Sequence, residues 1–211
     1  VWQDMPSIDS HKKNIWSQQV KNEQGENDFD LGTDYPLSDE GKDNYYKEWA
    51  EIINQVKKFQ CVVCWVPFNE AWCQFDTKKV ADFTKDLDPS RLVNAASGGN
   101  WVSGHVGDLL DSHHYPQPKM RIWDPSMVNV LGEYGGIGLP LEGHVWEIDR
   151  KWGYIQYKTP EEVTDAYVDY ARQLIPIVKE GCSAAVYTQT TDVEGEVNGL
   201  MTYDREVVKV E

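Results

Sequence analysis

The stretch CVVCWVPFNEAWCQFD, residues 61–76, decides how the rest of the chain is interpreted. Its apolar run over 61–66 predicts a buried β-strand, which ends at a proline. Two polar residues, Asn69 and Glu70, follow at once. In parallel α/β folds, functional side chains collect where strands end at their carboxyl edge. The stretch therefore predicts a strand that delivers an amide and a carboxylate to a functional site.

Three segments carry helical signals. Apolar spacing predicts a helix over about residues 39–58, with Ser38 as its N-cap. A second helix is predicted to follow Asp76, again as the N-cap. The third begins at TPEE, where Thr159 is the predicted N-cap and Glu162 completes a capping box. All three are long enough to cover one side of a sheet.

Short apolar segments between these helices predict strands. Together with 61–66 they give about six, at residues 1–4, 92–96, 109–115, 128–134 and 183–189. Residues 5–38 are polar and rich in Asp, Asn and Gly, which predicts a long loop. Strands that alternate with helices are typical of a parallel sheet covered by helices, so the predicted fold class is α/β.

Two glutamates fall at predicted strand ends, Glu70 and Glu133. Paired carboxyl groups suit work on a glycosidic bond, because one keeps its proton to assist the leaving oxygen while the other stays ionised to attack carbon. The structural alternative is a turn with a helix-capping carboxylate at Glu70 and a glycine-rich turn at GEYGG. The same strand-end rule adds Asp4 and Gln189 to the candidate site.

Composition excludes several classes of partner. The formal net charge is −15, and a polyanion repels both nucleic acid and anionic membranes, so we expect neither as a partner. Neutral substrates such as sugars are unaffected by this charge. The four cysteines are too few for a disulfide scaffold, and Cys61 and Cys64 lie three apart in a predicted strand, on opposite faces. We therefore interpret them as buried filler rather than zinc ligands.

Several spaced motifs together resemble the catalytic domain of family 2 glycoside hydrolases, which include β-galactosidases, β-mannosidases and β-glucuronidases. The motifs are VWQDMPS, WVPFNEAW, DPSRLVNAASGG, HHYP and LGEYGGIGLP, spread over most of the chain. The resemblance implies a (β/α)₈ TIM barrel and a retaining double-displacement mechanism. It begins at strand three, so it implies an incomplete barrel in which residues 1–211 form one partial catalytic domain with strands three to eight.

The resemblance also assigns roles. It implies that Glu70 is the acid/base and that Asn69 binds the sugar 2-hydroxyl. Glu133 is the implied nucleophile and Tyr115 the hydroxyl that steadies it, with His113 facing the same pocket. The aromatic residues Trp72 and Tyr187 are added as candidates for substrate binding. Tyr187 lies near where many relatives have tryptophan, and Cys73 stands where relatives tend to have glycine.

The expected partner is a carbohydrate substrate, with no cofactor and no metal. The alternative is a non-catalytic carbohydrate-binding or scaffold protein derived from the same barrel. Because VWQDMPS reads as a strand entering a turn without an initiating methionine, we expect the chain to begin inside a domain, the alternative being a removed propeptide. We also expect upstream domains or other subunits to be needed for activity. The sequence leaves cytoplasmic, periplasmic and secreted locations open.

Overall fold

The computed structural model describes residues 1–7, 17–30, 32 and 34–211. By chain contacts it divides into two compact units, residues 1–112 with 122–129 and residues 113–121 with 130–211. The elements, in chain order, are β1 Trp2–Asp4, β2 Gln19–Lys21, β3 Asn27–Phe29, α1 Asp39–Val56, β4 Cys64–Val66, α2 Thr77–Leu87, β5 Leu92–Val93, β6 Leu109–His114, β7 Val128–Gly135, β8 Ile137–Gly138, a 3₁₀ turn Ile148–Arg150, β9 Ile155–Gln156, α3 Pro160–Lys179 and β10 Ala184–Thr188.

The first unit is built on a parallel sheet of order β1–β4–β5, in which Trp2 pairs with Cys64 and Cys64 with Leu92. Apolar side chains of α1 and α2 cover this sheet. Trp49 and Trp65 are fully buried, and their rings meet edge to face at 5.9 Å. Each indole N–H is satisfied, by Thr84 Oγ1 at 2.9 Å and Asp88 Oδ2 at 3.2 Å respectively. Burial of such large rings stabilises this unit.

The predicted caps of the first two helices have different outcomes. Ser38 is the N-cap of α1, and its Oγ accepts a hydrogen bond from the Gly41 N–H at 3.1 Å, as predicted. Asp76 does precede α2, but its side chain makes no capping hydrogen bond. Its backbone is left-handed, with φ of 41°, and its carboxylate instead pairs with Lys42 Nζ at 3.1 Å. The capping role predicted for Asp76 is therefore wrong.

The segment predicted as a loop over 5–38 contains a β-hairpin, which corrects that prediction. Strands β2 and β3 pair antiparallel, with Val20 opposite Asp28. The turn between them uses Asn22, whose Oδ1 accepts the N–H groups of Gln24 and Glu26, and Gly25, whose φ is +80°. Glycine takes that conformation without steric cost. Residues 8–16, 31 and 33 of the predicted loop lie outside the described residues.

The second unit is built on β7 and β10, which pair parallel from Ala184 opposite Val130 to Thr188 opposite Gly135. Helix α3 starts as predicted, since Thr159 Oγ1 accepts from the Glu162 N–H at 3.3 Å. The reciprocal half of the capping box is displaced by one residue, because the Glu162 carboxylate accepts from the Lys158 N–H at 2.8 Å. Short parallel strands β8 and β9 extend the unit beyond β7.

A buried ion pair fastens the C-terminal segment to the second unit. Lys209 Nζ donates to both oxygens of Asp192, at 2.6 and 2.7 Å, and to the Val197 carbonyl at 3.0 Å. Both side chains are almost completely buried. Desolvation raises the pKa of Asp192 and lowers the pKa of Lys209, so burial outweighs the mutual attraction for both groups. Among the described residues, no helix combines the length and the hydropathy that a membrane span requires.

Candidate active site

The segment that carries Glu70 has an unusual backbone. Asn69 and Glu70 follow β4 as predicted, and Glu70 and Ala71 both have left-handed φ angles, of 50° and 62°. Non-glycine residues avoid this region because Cβ meets the backbone, so such residues mark turns and functional sites. The Glu70 N–H donates to the Ser97 carbonyl at 2.8 Å, and Asn69 forms a parallel bridge with Ser97. The strained turn is therefore anchored on the chain segment after β5.

A buried carboxylate that sequence reasoning missed supports this anchor. Asp111 of β6 is completely buried, and its Oδ2 accepts from Asn94 Nδ2 at 2.6 Å and from Ser97 Oγ at 2.7 Å. A buried charge is tolerated only when hydrogen bonds replace its lost hydration. Ser97 therefore links Asp111 to the backbone of Glu70. The available signal was an aspartate in the apolar stretch LLDSHH.

In the second unit, the Glu133 carboxylate of β7 is in contact with the tyrosine that the resemblance implied. Tyr115 Oη donates a hydrogen bond to Glu133 Oε2. His113 Nδ1 lies 3.5 Å from the same carboxylate oxygen, and the His113 side chain is buried. Tyr115 Oη is also 2.9 Å from Oγ1 of Thr188, a residue of β10 that no sequence motif indicated. Glu133, His113 and Tyr115 are thus brought together, as the resemblance implied.

The protonation of Tyr115 follows from its surroundings. Burial, the negative charge of Glu133 and the hydrogen bond to that carboxylate all raise the pKa of Tyr115 far above its usual range. The phenol therefore keeps its proton and acts as a donor. A proton held on the donor allows Glu133, whose side chain is about a quarter exposed, to present an oriented carboxylate to solvent.

The other predicted site residues lie in different places. Asp4 is the last residue of β1 and pairs with Val66 at the end of β4. Trp72 is 41% exposed and lines a cavity of about 230 Å³ in the first unit, together with Met5, Tyr45 and Cys73. The amide of Gln189 donates to Asn198 Oδ1 at 3.0 Å.

Tyr187 does not join the Glu133 group. Its ring packs edge to face against Tyr167 of α3 at 5.2 Å and against Tyr134 at 5.7 Å. Its neighbour Thr188 is the β10 residue that reaches Tyr115. Because successive side chains of a strand point to opposite faces, Tyr187 faces the helix when Thr188 faces the carboxylate. The prediction that Tyr187 takes part in substrate binding thus finds no support in its packing.

Three side chains of the second unit carry groups that could bind a metal ion. His144, Asp204 and Glu206 have ligand atoms within 4.8 Å of one another. His144 Nδ1 already lies 2.8 Å from Asp204 Oδ2, and hydrogen bonds from Thr202, the Glu206 N–H and His144 lower the pKa of Asp204 to about 2. These contacts account for the cluster as a His–Asp pair.

The cysteines follow the prediction with one exception. All four are free thiols, and Cys64, Cys73 and Cys182 are buried. Cys61 is exposed because β4 begins only at Cys64, so the filler interpretation is wrong for Cys61. Cys73 has a left-handed φ of 56°, in keeping with the glycine that relatives tend to have there.

Comparison with known families agrees with the parallel strand–helix architecture. Residues 10–124, more than half of the chain, match the family model described as Glycosyl hydrolases family 2, TIM barrel domain. The chain therefore belongs to family 2 of the glycosyl hydrolases, and the fold is that of its TIM barrel domain. No curated protein matches the chain.

Solved structures show the same fold at low identity. The FMN-binding beta-glucuronidase from Facaelibacterium prausnitzii L2-6 is 18% identical, with a TM-score of 0.59 over 82% of this chain and 31% of that one. The beta-D-glucuronidase of Dictyoglomus thermophilum is 16% identical, with a TM-score of 0.54 over 81% and 34%. Bacteroides uniformis beta-glucuronidase 2, covalently bound to cyclophellitol-6-carboxylate aziridine, is 14% identical, with a TM-score of 0.55 over 81% and 25%. The chain thus spans about a quarter to a third of these proteins.

Proposed function

We propose that this chain is the catalytic part of a retaining β-glycosidase, in which Glu133 is the nucleophile and Glu70 the acid/base. The observation that carries the proposal is the Glu133 carboxylate, held by the Tyr115 hydroxyl and flanked by His113. A donor that keeps its proton orients the carboxylate for attack. Family membership supports glycoside hydrolysis as the reaction class.

The acid/base role of Glu70 has separate support. Its left-handed backbone is held by the Ser97 carbonyl, which the buried Asp111 steadies through the Ser97 hydroxyl. Strain that is retained and supported in this way is typical of functional positions. Asn69, which precedes it, is the proposed ligand of the sugar 2-hydroxyl, and Trp72, Asp4 and Gln189 are the outer candidates. Glu70 and Glu133 belong to different compact units, so their pairing rests on the resemblance.

The architecture we propose is strands three to eight of a (β/α)₈ barrel, with residues 1–211 as one partial catalytic domain. The parallel pairings β1–β4–β5 and β7–β10 support this assignment. The substrate is a carbohydrate, and upstream domains of a longer chain or other subunits complete the active enzyme. The sugar is not inferred from the β-glucuronidase neighbours, because their likeness at 14–18% identity concerns the fold.

The test uses mechanism-based labelling and turnover together. A panel of cyclophellitol-type aziridines and aryl β-glycosides that differ in the sugar is applied to wild type, Glu133→Ala and Glu70→Ala. We expect covalent labelling at Glu133 by one sugar configuration, and no labelling or turnover in Glu133→Ala. Glu70→Ala should retain turnover of an activated aryl glycoside better than of an unactivated one, with partial recovery of rate in azide.

Two outcomes contradict these roles. Equal losses in both variants on the activated substrate would remove the asymmetry between nucleophile and acid/base. Labelling at a residue other than Glu133 would assign the nucleophile elsewhere. Binding of glycosides without labelling or turnover, in a form extended by its upstream domains, would favour the non-catalytic carbohydrate-binding alternative.

A further inference from the structure

In the second unit, the rings of Tyr115, Tyr154 and Trp152 contact one another in a row, here called the ladder, and Tyr115 is the residue that donates to Glu133. The ring of Tyr154 stacks on that of Tyr115 with centroids 3.6 Å apart and planes within 2° of parallel. The ring of Trp152 meets Tyr154 at 5.5 Å and 71°. Tyr115 in turn donates to Glu133. The ladder therefore leads from the carboxylate outward to Trp152.

The outer two rings are exposed but held in fixed positions. Trp152 and Tyr154 are 46% and 45% exposed. A Cβ on Gly136, whose φ is +68°, would lie 2.4 Å from Tyr154 Cδ2, so a glycine is required beneath this ring. The Trp152 N–H donates to the Gly195 carbonyl at 2.8 Å, and the Val197 N–H donates to the Trp152 carbonyl at 2.9 Å. Exposed aromatic surface on such a fixed backbone is arranged for contact with another molecule.

Polar groups stand beside the ladder. The Asn198 amide donates to Glu196 Oε1 at 3.0 Å and its carbonyl accepts from Gln189. Glu196 is also the bridge partner of Trp152, and a Cβ on Gly153 would lie 3.9 Å from Asn198 Cβ. Asn198 is completely buried, whereas Glu196 and Gln189 are partly exposed, so a ligand on the aromatic surface would meet one carboxylate and one amide at its border. Apolar area with a few polar groups is common in ligand sites.

We propose that Trp152 and Tyr154 form a stacking platform for a pyranose ring of the substrate, next to the scissile bond. A pyranose presents an apolar C–H face, which suits the negative face of an aromatic ring, and hydroxyls at its edge, which suit amide and carboxylate partners. This inference rests on the proposed function, because that function places a sugar at Glu133. It adds a subsite on the segment between β8 and α3, contributed by residues that carried no assigned role.

The experiment compares Trp152→Ala and Trp152→Phe with Trp146→Ala as the matched control. Trp146 is 64% exposed in the same unit and has its own edge-to-face partner, Tyr203, at 5.4 Å. Binding of methyl β-glycosides and β-linked disaccharides is measured by calorimetry and by tryptophan fluorescence, in the chain extended by its upstream domains. A Glu133→Gln background prevents turnover. Aryl β-glycoside kinetics are measured in parallel without that background.

We expect Trp152→Ala to weaken sugar binding roughly three- to tenfold, as loss of one stacked ring implies. Trp152→Phe should recover most of the affinity, and Trp146→Ala should leave it unchanged. Equal weakening in both alanine variants, or none in Trp152→Ala, would overturn the platform. So would a wild type that binds no glycoside of the panel.

The two proposals fail separately. Binding that depends on Trp152 in a protein without turnover or labelling would leave the platform in place and refute hydrolysis. Hydrolysis with a KM that Trp152→Ala leaves unchanged would refute the platform and leave the hydrolytic function in place.

Discussion

The hydrogen bond from Tyr115 to Glu133 offers the sharpest single perturbation of the proposed nucleophile. Tyr115→Phe removes only the phenol oxygen and leaves the ring stacked on Tyr154, so the local packing is retained. A hydrogen bond to a charged acceptor contributes about 1.5–3 kcal/mol. The Glu133 side chain is 27% exposed, so water replaces part of the lost bond and the lower half of that range applies. We expect the second-order rate of labelling or turnover to fall roughly 12- to 40-fold.

The pH dependence of this loss follows from the protonation state of the phenol. Burial and the charge of Glu133 raise the pKa of Tyr115, so the folded state keeps the proton at pH values where an ordinary tyrosine would begin to lose it. Tyr115 is a neutral donor below its raised pKa, and it does not titrate in the usual assay range. The ratio of wild-type to Tyr115→Phe rates should therefore be constant between about pH 5 and 9.

Tyr134→Phe is the matched control, because Tyr134 follows Glu133 in β7 but packs against Tyr187 on the other face. Loss of the Tyr134 phenol oxygen should change the rate of labelling by less than about threefold. The assay is the rate of covalent labelling by the matching aziridine, with kcat/KM on an aryl β-glycoside as the second readout. Equal effects in the two phenylalanine variants, or a wild-type to Tyr115→Phe ratio that changes tenfold over the pH range, would refute the reasoning.

Two further predictions concern stability and are read from urea denaturation midpoints. The free energy of unfolding of Cys73→Gly should stay within about 1 kcal/mol of wild type, because relief of the left-handed φ of 56° offsets the lost buried thiol. Cys73→Val should lose more than about 2 kcal/mol, because a β-branched residue is strained at this φ. A valine tolerated as well as glycine would contradict this. In the Asp192–Lys209 pair, Asp192→Asn and Lys209→Met should each cost about 3–5 kcal/mol by leaving one buried charge, while the double variant should lie within about 1 kcal/mol of wild type. Additive losses in that double-mutant cycle would show that the pair is not coupled.

Local sequence signals determined the helices and the approximate positions of the strands, although the strand predicted over 61–66 begins only at Cys64 and the one predicted over 92–96 ends at Val93. The Ser38 and Thr159 caps were predictable because capping depends on residues within one turn of the cap itself. The contact between Tyr115 and Glu133 was predictable through the family resemblance. The hairpin within 5–38 was missed because each of its strands has only three residues, two of them polar, which is too short for an alternating apolar pattern.

Only the tertiary structure decided which face each side chain takes and which distant groups it meets. Asp76 reads as an N-cap, yet its left-handed backbone turns the carboxylate to Lys42 instead. Tyr187 reads as a site residue, yet the register of β10 against β7 turns it to α3. A shift of one residue exchanges the two faces of a strand, and composition does not fix that register.

The same limit explains the residues that sequence reasoning did not find. Asp111 is recognisable as a support of the Glu70 turn only when Ser97 and Asn94 are brought to it from another strand. Trp152 and Tyr154 lie in a segment with weak secondary structure signals, and only the stacking on Tyr115 connects them to Glu133. The sequence alone determined the family and identified the chemical groups of the candidate site. The folded chain decided their supports, because contacts between distant segments depend on packing and register rather than on any local pattern.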